Sequence, residues 1–150
     1  MLSDAVSSLK WIVDTLLKRH AETSQTKKQK WLQVATYLDE VAKLIDAAVA
    51  DFKNYKIPHG HYSQLYEVGC NFADVLSQVY PEKEYKETEL AYDYTDAFYS
   101  AIHLIEEGDG LVVLEAANQP FSKRGLKVLA DLEAAAGKFR GLAMTLRATS

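Results

Sequence analysis

The sequence predicts an all-α protein: an antiparallel up-and-down bundle of four long helices, with a short fifth helical or irregular segment near residues 111–119. Three observations carry this prediction. Apolar residues recur at alternating steps of three and four in four separate segments. All three prolines and the Gly108-Asp109-Gly110 turn fall between those segments. Only Leu111-Val112-Val113-Leu114 has strand character, and no second strand candidate exists to satisfy its backbone. With 150 residues and no linker, 1–150 reads as one domain, long enough to bury ~70% of the unfolded chain's surface.

Each element has its own warrant. In the first segment the stripe is Leu2, Val6, Leu9, Val13, Leu16 and His20. Residues 28–56 carry the clearest one, Trp31, Val34, Leu38, Val41, Ile45, Ala48 and Phe52, with Asp39, Glu40, Lys43 and Asp46 on the other face. Ile57-Pro58-His59-Gly60 is a turn, after which Tyr62, Leu65, Gly69, Phe72, Leu76 and Val79 form the third stripe, closed by Pro81. A less regular helical segment over 85–107 offers Ala91, Thr95, Phe98, Ile102 and Ile105 as inward positions. The last stripe is Val128, Leu132, Ala135, Phe139, Leu142 and Leu146, with Ser122 as its N-cap.

Composition excludes several function classes. A single cysteine, Cys70, permits neither an intramolecular disulfide nor a multi-cysteine metal site, and beside Gly69 and Phe72 it reads as core filler. A net charge of −4 is a poor basis for nucleic-acid binding. The N-terminus has an acid at Asp4 before its first base at Lys10, the wrong order for a secretory leader, so a cytoplasmic location is expected. No window has the ~18–20 apolar residues of a membrane span. A first helix resting on a lipid surface, through Leu9, Trp11, Ile12, Val13, Leu16 and Leu17 with Lys10, Lys18 and Arg19, is a minor alternative.

The net charge conceals segregation. Residues 82–115 hold ten acids and two lysines, a net of −8, whereas residues 116–150 carry +4 and residues 1–31 carry +3. The simplest expectation is that the acidic segment packs beside the basic terminal helices; the other is a charged patch that selects a partner. Nine tyrosines, four of them at Tyr85, Tyr92, Tyr94 and Tyr99, suit half-exposed seams as well as recognition surfaces.

Two metal constellations stand out. Glu89, Asp93, Asp96 and His103 share one helical face, and His59 and His61 flank Gly60 in the turn. The Glu-x-x-His pair of a di-metal bundle is absent, so a solvated acidic face and a plain turn are the simpler readings. No nucleophile triad, phosphate loop or zincin motif occurs, and neither a catalytic residue nor a cofactor is expected.

The last helix departs from ordinary bundle design. Ala130, Ala134, Gly137, Gly141 and Met144 form a second stripe opposite the core stripe. Each glycine costs ~1 kcal/mol against alanine in a helix interior, and solvent-facing positions normally carry Lys, Glu or Gln. Small residues there let another helix approach closely.

The stretches LQVATYLDEVAKLIDAAV and IPHGHYSQLYEVGCNFADVL resemble an all-helical group of bacterial proteins, many of them cyanobacterial. The matching positions are Val34, Ala35, Tyr37, Leu38, Asp39, Val41 and Ala42, then Ile57, Pro58, His59, Gly60 and Leu65, with Ala136, Gly137, Lys138, Phe139 and Arg140 as a closing motif. The chain departs from the group at His61-Tyr62-Ser63. Members stand alone or are attached to signalling and defence-type proteins, so the resemblance implies a helical adaptor. Together these features predict a non-enzymatic interaction module with a protein partner or a homodimer, the seam of small residues being its surface. A metal- or small-ligand-binding bundle is the alternative.

Overall fold

The computed structural model describes residues 2–23, 28–56, 58–80, 96–103 and 122–148, and every element among them is helical. Helix α1 spans Leu2–Thr23, α2 Lys28–Lys53, α3 His59–Cys70 and α4 Phe72–Leu76, followed by a 3₁₀ turn at Ser77–Val79. Helical residues 96–103 are termed α5, and α6 spans Lys123–Ala148.

Local chemistry sets several of these boundaries. Helix α2 contains neither glycine nor proline and stops on its backbone geometry. Tyr55 adopts φ 57°, the Lys56 N–H donates to the Asp51 carbonyl at 2.9 Å, and the Tyr55 N–H donates to the Phe52 carbonyl at 2.9 Å. This is the paired closure that glycine ordinarily provides at a helix end, here made by a tyrosine at ~1–2 kcal/mol of local strain. Ser122 caps α6, its Oγ accepting the Gly125 N–H at 3.1 Å, as the sequence predicts.

The third stripe, expected as one helix, is broken at Asn71. The Asn71 side-chain amide donates to the Glu67 carbonyl at 3.3 Å, the acceptor its own backbone N–H would use in a continuous helix. That N–H turns instead to Val68 at 3.1 Å. The side chain thus competes with the helix ladder, and the chain restarts as α4. Leu65, Gly69, Leu76 and Val79 nevertheless remain inward, because the break leaves the stripe in phase.

The core lies between α2 and α6, which share the longest interface. Asp39, Asp46 and Lys53 of α2 pair with Arg147, Arg140 and Glu133 of α6. Both sets step by seven, in opposite chain directions, so the helices run antiparallel with a heptad repeat. Inside this ionic edge, Ala35 and Ala42 on α2 and Ala136 and Ala143 on α6 are buried with Leu38, Ile45, Leu132 and Phe139. Small residues every seventh position permit close approach, and large ones in the adjoining layers fill the remaining space. All six positions of the last predicted stripe face inward, five of them fully buried and Val128 partly so.

Helix α1 packs against α6, and α3 packs against α2. The carboxyl end of α1 meets the start of α2, where the His20 ring stands edge-on to Trp31 at 5.1 Å. Arg19 secures the same end: its Nε donates to the Val79 carbonyl at 3.1 Å, and its guanidinium lies 4.7 Å from the Tyr80 ring centroid. Because Arg147 pairs with Asp39, the carboxyl ends of α1 and α6 share one end of the molecule.

Leu9, Ile12, Val13 and Leu16 are buried in this packing, leaving Trp11 and Leu17 partly outside. The lipid-surface alternative for α1 therefore loses most of its apolar face to the core. None of the described helices is long and apolar enough to cross a membrane.

Candidate functional site

The five seam residues lie together on the outer face of α6. Ala130, Ala134, Gly137, Gly141 and Met144 are all exposed, and Met144 keeps 68% of its surface open. A methyl group built on Gly137 or Gly141 would have no non-local neighbour within 4 Å. Nothing in the described fold therefore requires glycine at either position. Their use on an exposed helix is a stability cost that this packing does not explain.

The surroundings enlarge the surface beyond what the sequence suggested. Leu126, one helical repeat upstream of the seam, is 54% exposed. An open groove of about 330 Å³ runs between α1 and α6, lined by Val13, Asp14, Leu17, Lys138, Gly141 and Leu142 among others. Leu17, 40% exposed, stands on its α1 wall. In the sequence Leu17 belongs only to the minor lipid-surface alternative, Val13 to that and to the first inward stripe, and Leu126 to neither. Which helix flanks the seam is a tertiary fact that periodicity does not carry.

Charged residues border the seam on both edges. Toward α2 stand Glu133 and Arg140, each already paired, with Lys53 and Asp46. Toward α1 stands Lys138, which lines the groove and has no ion pair among the described residues; Asp131, seven residues earlier on the same helical edge, is held by Lys127 at 2.9 Å. The face is thus apolar and small along its centre and charged along both rims, the composition of a helix-to-helix contact.

The metal candidates are described only in part. Glu89 and Asp93 lie outside the described residues, while Asp96 and His103 are exposed, seven residues apart on one helix. The His61 Nε2 sits 3.4 Å from Asp51 Oδ2, and its Nδ1 is buried with no hydrogen-bonding partner among the described residues. The side chains of His59 and Cys70 lie outside what is described. No group of three His, Cys, Asp or Glu side chains among the described residues could hold a metal ion.

Tyr37, Tyr66 and Tyr99 serve packing, whereas Tyr55 is exposed. Tyr66 and Tyr99 stack at 5.7 Å, the Tyr99 hydroxyl donates to the Tyr66 carbonyl at 3.4 Å, and the Tyr37 hydroxyl donates to the Val68 carbonyl. Tyr85, Tyr92 and Tyr94 lie outside the described residues. No protein-family model, curated protein or solved structure matches the chain.

Proposed function

We propose that this protein is a non-enzymatic helical interaction module whose working surface is the outer face of α6, which docks another helix. The observation that carries the reading is the open space above Gly137 and Gly141, bracketed by the exposed apolar side chains of Leu126 and Met144. A helix seated there approaches to about 8 Å, the short end of the range for packed helices, because only glycine and alanine line its centre. Contiguous apolar surface rimmed by charge on a monomer is the ordinary mark of a contact site. The reading accords with the adaptor role that the resemblance of residues 34–65 implies.

The test is Gly141→Leu, which fits the open space of the monomer and obstructs a helix. In extracts of the expressing cells, the wild type elutes above its 16.8 kDa on size exclusion and Gly141→Leu shifts toward the monomer position. Elution of both as monomers contradicts the reading.

A further inference from the structure

The docking surface is also specific in its pattern of charge and size, and that pattern matches itself in reverse. The seam residues step by four, three, four and three. Turned end for end about a point between Ala135 and Ala136, Ala130 falls opposite Gly141 and Ala134 opposite Gly137. Met144 falls opposite Lys127, whose aliphatic stem is available to cover it.

The rims obey the same operation. In an antiparallel pair of helices, residues on one edge meet residues of the same edge on the partner. The α2-side edge carries Glu133 and Arg140, and the α1-side edge carries Asp131 and Lys138. A reversed second copy therefore sets Glu133 against the partner's Arg140 and Asp131 against the partner's Lys138, each twice by symmetry. On the α2 side, Lys53, Glu133, the partner's Arg140 and the partner's Asp46 form a chain of alternating charge. A parallel pairing does less: Glu133 meets the partner's Lys138, but Asp131 faces the partner's Leu126 and Arg140 faces the partner's Thr145. The antiparallel α2–α6 contact within the chain is built on the same plan, with alanines inside and opposite charges seven residues apart at the edge.

Resting on the docking reading above, we infer that the helix received by α6 is α6 of a second copy, antiparallel about a two-fold axis between Ala135 and Ala136, with Asp131 and Glu133 facing the partner's Lys138 and Arg140. Such an isologous contact closes on itself and yields a dimer.

Charge reversal on the α1-side edge tests this without touching the α2–α6 ion pairs. Asp131→Lys sets lysine against the partner's Lys138, and Lys138→Glu sets glutamate against the partner's Asp131. An equimolar mixture of the two variants restores attraction at both places. Sedimentation equilibrium on purified protein is expected to show a wild-type mass rising with concentration from 16.8 kDa toward twice that value. Each single variant weakens the dimer at least tenfold, and the mixture recovers wild-type affinity. Circular dichroism confirms that both variants remain folded.

A wild type that stays monomeric up to millimolar concentration overturns the second copy as occupant. If its extract form is nonetheless large and Gly141→Leu reduces it, the docking reading stands and only the choice of partner fails. A concentration-dependent dimer that ignores both reversals, or is not rescued in the mixture, overturns the antiparallel register.

Discussion

Gly69 is crowded by aromatic side chains, whereas Gly137 and Gly141 face open space. At Gly69 a methyl group would lie 2.9 Å from Phe98 Cδ1 and 3.2 Å from Tyr99 Cε1, so the α5 aromatics rest directly on the α3 backbone. Gly69→Ala should destabilise the fold by about 1–3 kcal/mol, the usual cost of overpacking a filled site. At Gly137 and Gly141 nothing stands in the way. Alanine at either should stabilise the monomer by about 0.5–1 kcal/mol through helix propensity alone. Urea unfolding at concentrations low enough to keep the chain monomeric distinguishes these opposite signs. His20 adds a pH dependence. Burial holds its pKa below the ordinary 6.5, so the unfolded chain takes up the proton first. Its contribution to stability is full above pH 6.5 and is lost as pH falls from there toward the folded pKa. A urea midpoint followed from pH 8 to 5 should decline below 6.5 in the wild type and decline less in His20→Gln. Equal pH profiles contradict the assignment.

At the scale of elements, much was legible from spacing alone. The α2 stripe, the α6 stripe and the Ser122 cap follow from periodicity and capping chemistry, and all three are present. The break at Asn71 was hidden because the apolar spacing runs through it unchanged, while the competition between side chain and backbone is a matter of local conformation. The end of α2 at Tyr55 was equally silent, since a tyrosine in a left-handed turn carries no sequence signal. Periodicity places a face inward without naming the helix that covers it. The pairing of Asp39, Asp46 and Lys53 with Arg147, Arg140 and Glu133 was written at steps of seven but needed the tertiary register to be read. As for the cap itself, Ser122→Ala should lower stability by about 1 kcal/mol, since the Gly125 N–H loses its acceptor. A change under a few tenths of a kcal/mol in urea unfolding contradicts that role.

For the molecule as a whole, the segregated charge resolves in part within the chain. Two bases of the positive C-terminal region, Arg140 and Arg147, are matched by Asp46 and Asp39 of α2, whereas most of the acidic stretch 82–115 lies outside the described residues. Exposed positions Leu126, Met144, Gly137 and Gly141 remain as a face the monomer does not use. In the proposed dimer a second copy covers it. Hydroxyl-radical footprinting of Met144 against Trp11 addresses this directly, because both side chains are exposed in the single chain and only Met144 belongs to the proposed seam. Met144 oxidation is expected to slow at least several-fold as protein concentration rises, while Trp11 labelling stays constant. Met144 oxidation that keeps the same rate relative to Trp11 at every concentration would contradict it.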